Sequence, residues 1–119
     1  MITSPPPEVP KWALTLLNNL YDIEQKLTKS GDPGNALRNV GKMKDVIEEL
    51  GLFYEDPMGQ PFKETRTDLE ATISGQGIEN LEVVQVIKPI VRAGPRNLSR
   101  VAQKGIVVVE SKQQNKPNE

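Results

Sequence analysis

The amino-acid sequence predicts an α+β fold in which a helical hairpin comes first and a small β-domain follows. Up to Gly51, apolar residues recur at three- and four-residue steps, which is the period of a helix. After Leu52, β-branched residues gather in short runs that glycine and proline separate, as in strands joined by turns. A chain of 119 residues has room for one domain, or for two small ones that share a core.

The first helix is expected to begin at Pro10, because a missing N–H costs nothing at the first helical position. Gly31, in the segment SGDPG (residues 30–34), is expected to cap its carboxyl end. One face carries six apolar residues at helical spacing: Ala13, Leu16, Leu17, Leu20, Ile23 and Leu27. This segment therefore predicts an amphipathic helix.

The second helix is predicted to run up to Gly51, with apolar residues at alternating four- and three-residue steps from Ala36 to Leu50. That spacing is typical of a coiled coil or a four-helix bundle. A lone hairpin buries two such faces poorly, so we expect a homodimer held by a four-helix bundle. Its interior is predicted to contain Leu16, Leu20, Val40, Met43 and Ile47.

The second half is expected to form a compact antiparallel sheet or a small barrel. Its strands are predicted at residues 81–87, 89–92 and 106–109. The predicted core of this β-domain consists of Phe53, Phe62, Ile73, Val84, Val86 and Val108. The predicted domain limits are a disordered Pro-rich arm at 1–9, the hairpin at 10–51, the β-domain at 52–110 and a disordered tail at 111–119.

The composition argues against an enzyme. The chain has no cysteine and no histidine, which removes the thiolate nucleophile, the usual general base and the commonest metal ligand. The segment Gly75-Gln76-Gly77 matches only the front of a dinucleotide fingerprint and precedes a strand, so it predicts a turn. We expect no cofactor and no metal. The sequence shows no signal peptide and no membrane span, so we expect a cytoplasmic protein without a membrane partner.

One basic segment stands out between residues 88 and 104. Its cations recur without an acid among them: Lys88, Arg92, Arg96, Arg100 and Lys104. The segment is interpretable as a solvated sheet edge or as a contact for an acidic protein surface. Nucleic acid is disfavoured as a partner, because the net charge is -1 and no aromatic residues are interleaved for base stacking.

The order of these segments resembles the C-terminal part of the GrpE family, the nucleotide exchange factors of DnaK-type chaperones. The second helix ends in DVIEELG (residues 45–51), and LFYEDPMGQPF (52–62) follows, with a Gly-x-Pro-Phe element. The strand at 68–71 and the segments at 83–87 and 101–109 are similar to later strands of that family. The resemblance extends from Trp12 to Glu110.

The resemblance implies a cochaperone that binds the chaperone's ATPase domain through its β-domain, promotes ADP release and so supports protein folding. By position, Ile87, Arg100 and Val109 match family contact residues, and Arg96, in the same basic segment, is expected to be a further chaperone-binding residue. These 119 residues lack the long paired helices of the family, and Leu69 stands where a histidine is usual. The alternative is therefore a dimeric interaction module that kept the GrpE-like fold and lost exchange activity.

Overall fold

The computed structural model describes residues 8–112, so most of the predicted arm and tail lie outside the described residues. Within them, two helices precede six strands, and the α+β class is confirmed. The helices are α1 (Lys11–Ser30) and α2 (Leu37–Glu49). The strands are β1 (Leu52–Glu55), β2 (Leu69–Ser74), β3 (Leu81–Lys88), β4 (Ile90–Ala93), β5 (Arg100–Gln103) and β6 (Gly105–Ser111).

Three residues of the turn between α1 and α2 have positive φ: Gly31, Asp32 and Asn35. Gly31 has φ 80°, and its N–H donates to carbonyl oxygens of the last turn of α1, so the predicted cap is confirmed. Asp32 follows with φ 50°. Its carboxylate accepts hydrogen bonds from the backbone N–H groups of Ala36 at 2.7 Å and Leu37 at 3.0 Å. A side-chain acceptor thus satisfies the donors that the start of α2 leaves unpaired.

The described chain divides into two compact units, and their limits differ from the predicted boundary at Gly51. The first unit joins the described part of Met1–Tyr54 to Val91–Ala102. The second joins Glu55–Ile90 to the described part of Gln103–Glu119. The difference arises because β1, β4 and β5 are neighbours in one three-stranded sheet, although they are distant in sequence. A simple split into helices and strands therefore does not describe the chain.

The first unit contains the hairpin and most of the β1-β4-β5 sheet. Leu17 is its most buried helical residue, with 1% of its surface exposed. Apolar side chains from both helices and from β1 are buried in this unit: Ala13, Leu17, Leu20, Tyr21, Val40, Ile47, Phe53 and Tyr54. Phe53, predicted in the β-domain core, therefore belongs to the core of the helical unit.

The second unit contains a three-stranded sheet in the order β2-β6-β3. β3 pairs with β6 in antiparallel fashion, whereas β2 pairs with β6 in parallel, so the expectation of a purely antiparallel sheet is wrong. Three strands, β3, β4 and β5, lie between β2 and β6 in the sequence, so no short hairpin joins β2 to β6. Because a short hairpin joins only antiparallel strands, its absence leaves β2 and β6 able to pair in parallel. The core of this unit is formed by Leu69, Val83, Ile90, Val107 and Val109.

The predicted phase is wrong by one residue on β6 and around Val83 on β3. Val83 is 1% exposed, whereas the predicted core residue Val84 is 38% exposed. On β6, Val107 and Val109 are buried instead of Val108. On β2 the phase is as expected, because Ile73 shares a face with the buried Leu69, but Ile73 itself is 47% exposed. Consecutive apolar residues hide the alternation that would fix the phase, and two irregularities in the β3 register break it further. Phe62 and Val86 do pack against this core, partly buried.

The Gly-x-Pro-Phe element covers the edge of β3. Val83 exchanges backbone hydrogen bonds with this element, accepting from Gly59 at 3.0 Å and donating to Gln60 at 2.9 Å. Arg66 donates to the side chain of Gln60 at 2.9 Å and forms a bidentate ion pair with Asp68, at 2.9 Å for both bonds. The element therefore completes the second unit and protects an edge that would otherwise be exposed.

Candidate protein-interaction site

The five residues predicted at the dimer interface fall into two groups. Leu20, Val40 and Ile47 are 3%, 2% and 7% exposed within a single protomer. Leu16 and Met43 are 44% and 43% exposed. The first three therefore belong to the protomer's own core, and only the last two present large apolar surfaces to a partner.

An apolar groove lies on the outer face of the hairpin. Leu16 lines it from α1, and Met43 and Val46 line it from α2, around a volume of about 340 Å³. Trp12 precedes Leu16 by one helical turn and Leu50 follows Val46 by one turn, and both are mostly exposed. A continuous apolar face of this kind is typical of a surface that binds another protein.

The basic segment places Arg96 on the same unit as the hairpin. Its Nε and Nη2 donate to the carboxylate of Glu48, on α2, at 2.7 Å and 3.0 Å. Its guanidinium carbon lies 4.3 Å from the centre of the Phe53 ring. The hydrogen bond from Arg96, aided by the charges of Arg96 and Lys44, lowers the pKa of Glu48 below its ordinary value of 4.5.

Arg100 also lies in the first unit, at the first position of β5, with an exposed side chain. The two apolar contact residues implied by the family resemblance lie in the second unit instead. Ile87 sits at a register irregularity of β3 and is 53% exposed. Val109 pairs with Val83 in the sheet and is fully buried. Because its side chain fills the core, Val109 is not available to a partner in the folded protein.

Sequence reasoning missed a polar network beside the hairpin core. The hydroxyl of Tyr54 donates to Glu24 Oε1 at 2.6 Å, and Lys44 Nζ donates to the same carboxylate at 3.2 Å and 3.4 Å. Lys44 also lies 4.8 Å from the centre of the Tyr54 ring, and the Tyr21 ring meets that ring edge-on at 5.7 Å. The partners are 20 and 30 positions apart, so no local spacing signals the network.

The sequence reasoning also missed Leu98, in the turn-like segment after β4. Its side chain is 79% exposed. The sequence signal for Leu98 was an apolar side chain among small and polar neighbours. A search for helix or strand periodicity does not detect a single residue of this kind. Its position makes Leu98 a candidate contact residue of the first unit.

Comparison with protein-family models, with curated proteins and with solved structures finds no match. Among residues 8–112, no group of three or more carboxylates is arranged to hold a metal ion. Neither α1 nor α2 combines the length and apolar character needed to cross a membrane. The surface features of the described chain that indicate binding are thus an apolar groove on the hairpin and exposed basic and apolar residues outside the hairpin.

Proposed function

We propose that this protein is a GrpE-like cochaperone that binds the ATPase domain of a DnaK-type chaperone, promotes release of ADP and thereby supports protein folding. The observation that carries the proposal is Arg100, an exposed cation at the start of β5. It matches a contact position of the family that the sequence resembles. Ile87, exposed on the second unit, supplies an apolar contact in the same proposal.

The proposed mechanism uses binding energy and no covalent step. An exchange factor accelerates release by binding the open ATPase domain better than the closed, nucleotide-bound one. It shifts that equilibrium only by its differential affinity, about 1.4 kcal/mol for each factor of ten. The guanidinium of Arg100 would donate a charge-assisted hydrogen bond to a carboxylate or carbonyl oxygen of the chaperone.

The proposal includes a homodimer in which two hairpins form a four-helix bundle. The apolar groove defined by Leu16, Met43 and Val46 would receive the same face of a second copy. Leu20, Val40 and Ile47 lie beneath that face in the protomer core, so buried side chains support the interface from below. Burial of the exposed apolar face supplies the driving force for association.

A dimeric interaction module without exchange activity is the second candidate function. It is favoured by Leu69, which occupies the position of a usual family histidine and is buried in the core of the second unit. An apolar core residue at that position cannot supply a polar contact to a chaperone. The two candidates differ in whether nucleotide release is accelerated.

Stopped-flow release of a fluorescent ADP analogue from a DnaK-type chaperone tests the proposed function. Wild-type protein is expected to accelerate release. Arg100→Ala should weaken the effect about tenfold or more, since a charged hydrogen bond contributes about 1.5–3 kcal/mol. Lys104→Ala, an exposed cation of the same basic segment, is the control and should act like wild type. No acceleration by wild type would favour the interaction module, and equal acceleration by Arg100→Ala would remove Arg100 from the mechanism.

Sedimentation velocity at micromolar concentration tests the dimer separately. Met43→Asp places a charge on the exposed apolar face and should yield monomers that remain folded, because Met43 is not in the protomer core. Arg38→Asp adds the same acid at an exposed position of α2 that does not line the groove, and should leave the dimer intact. A wild-type protein that sediments as a stable monomer would contradict the four-helix bundle.

A further inference from the structure

The two edges of the β2-β6-β3 sheet differ in how they are covered. At the β3 edge, the backbone of the Gly-x-Pro-Phe element forms hydrogen bonds with Leu81 and Val83. β2 forms the opposite edge, and its neighbour in the sheet is β6. Among residues 8–112, no further strand or isolated bridge pairs with β2 on its outer side. The sheet therefore has one covered edge and one open edge, and the open edge is β2.

The register with β6 shows which backbone groups of β2 point outward. Leu69 lies opposite Gly105, and the N–H of Gly105 donates to the carbonyl oxygen of Asp68 at 2.9 Å. Because the backbone groups of successive residues alternate between the two sides of a strand, Leu69, Ala71 and Ile73 direct their N–H and C=O groups away from β6. Leu69 is 5% exposed, so the accessible groups are those of Ala71 and Ile73. Within the described residues, these groups have no hydrogen-bond partner.

β2 also lacks the features by which sheet edges avoid pairing with other chains. Edge strands are commonly very short, bulged, or marked by lysine or proline. β2 is six residues long, contains no lysine, arginine or proline, and keeps a regular register with β6 throughout. Ile73 leaves 47% of its surface exposed at this edge. An added strand would therefore satisfy backbone groups and cover apolar surface at the same time.

The sequence of this edge is complementary to itself. When two copies of β2 lie antiparallel about a twofold axis at Thr72, Ala71 of each copy is opposite Ile73 of the other. The accessible N–H and C=O groups of these two residues then pair with one another. Glu70 lies opposite Ser74, so no like charges are directly opposed, and the two Thr72 side chains are close enough to form a hydrogen bond.

Shifting the twofold axis by one residue in either direction removes this match. An axis at Ala71 would pair Ile73 with Leu69, whose backbone is not accessible. An axis at Ile73 would pair Ala71 with Gly75, which has φ 81° and has left the extended conformation. The accessible part of the edge therefore favours a single register, with Thr72 at its centre.

We propose that β2 is a self-association edge, to which a second copy of this chain adds its own β2 in antiparallel orientation about Thr72. This inference does not rest on the proposed function, and the contact is separate from the apolar face of the hairpin. An edge this short buries far less than the about 1,200–2,000 Å² of a stable interface, so we expect a dissociation constant on the order of 0.1–1 mM. In a protein that also forms the proposed four-helix bundle, the contact would link one dimer to another.

Sedimentation equilibrium of the Met43→Asp protein tests the pairing without the contribution of the hairpin face. At roughly 0.1–1 mM this variant should show monomer and dimer in exchange. Adding Ile73→Lys places a charge at the open edge and should weaken the association about tenfold or more. Ile78→Lys is the matched control, because Ile78 is 76% exposed between β2 and β3, and it should have no effect.

Two results of this measurement would overturn the proposal. One is a Met43→Asp protein that remains monomeric over the whole concentration range, which would leave the open edge to a strand of a different protein. The other is undiminished association after Ile73→Lys, which would place the contact elsewhere on the molecule. Neither measurement involves a chaperone, so the outcome is independent of the proposed function.

Disulfide formation in the otherwise wild-type chain tests the register. The protein has no cysteine, so one introduced cysteine reports on one position. In the proposed register, the Cα atoms of two copies of Thr72→Cys lie about 4.5 Å apart, within the range that a disulfide bridges. Those of Glu70→Cys, on the same exposed face of β2, lie about 14 Å apart, which is too far. Under mild oxidation, Thr72→Cys should therefore form covalent dimers about tenfold faster or more, and equal rates would overturn the register.

Discussion

The hydroxyl of Tyr54, at the end of β1, donates a 2.6 Å hydrogen bond to Glu24 Oε1 in the middle of α1. The same carboxylate pairs with Lys44 Nζ of α2 at 3.2 Å. One acid thus connects three elements of the first unit. Tyr54 is 8% exposed, so its hydroxyl sits at the edge of the core and needs the acceptor that Glu24 provides.

Removing that hydroxyl should destabilise the first unit. Tyr54→Phe keeps the ring and its contact with Tyr21, but it leaves Glu24 without its shortest hydrogen bond. Since a hydrogen bond to a charged group contributes about 1.5–3 kcal/mol, we expect a loss near the lower end, because the Glu24 side chain is 27% exposed. Urea unfolding followed by circular dichroism measures it. An unchanged midpoint would mean that solvent replaces the bond at no cost.

Truncation of two neighbouring leucines on α1 should have different effects on stability and on dimerisation. Leu17→Ala removes a fully buried side chain and should lower the free energy of unfolding by about 2–5 kcal/mol. Leu16→Ala changes an exposed residue and should leave the stability of the protomer almost unaltered, while weakening the proposed dimer. Chemical unfolding of dilute protein, together with sedimentation, separates the two effects. Equal destabilisation by both variants would contradict the orientation of α1.

The phase of β3 is testable with an isosteric substitution. Val83→Thr buries a hydroxyl without a partner in the core of the second unit and should cost about 1–3 kcal/mol. Val84→Thr places the same hydroxyl in solvent and should cost little, since Val84 is 38% exposed. Thermal unfolding of the two variants side by side gives the comparison. If Val84→Thr were the more damaging variant, β3 would have the opposite phase.

The contact between Glu48 and Arg96 should depend on pH. The pKa of Glu48 is lowered in the folded protein by its hydrogen bond with Arg96, so the contact stabilises the folded protein fully above the ordinary pKa of 4.5. That contribution is lost as the pH falls through the lowered folded pKa. We expect an NMR titration of the Glu48 carboxyl carbon to give a midpoint below 4.5, and Arg96→Gln to move it upward. Identical midpoints in the two proteins would show that the pair does not form in solution.

The sequence by itself determined the helical hairpin and its turn. Apolar residues at three- and four-residue steps specify which side of a helix is buried, and Gly31 supplies the positive φ at which α1 ends. The same spacing could not separate the protomer core from the exposed apolar face, because both lie within one amphipathic stripe. Only packing against β1 and the other helix shows that Ile47 is buried and Met43 is exposed.

The tertiary structure alone decided how the strands are distributed and which valines are buried. A run such as Leu81–Lys88 contains too many apolar residues for a two-residue alternation to set its phase, and pairing with β6 sets it. The candidate site likewise depends on contacts between residues that are distant in sequence. Composition revealed the basic segment, but the partnership of Arg96 with Glu48, 48 positions away, exists only because β4 and β5 lie in one sheet with β1, which follows α2. Local periodicity encodes the elements, whereas contacts between distant residues decide which side chains remain available to a partner.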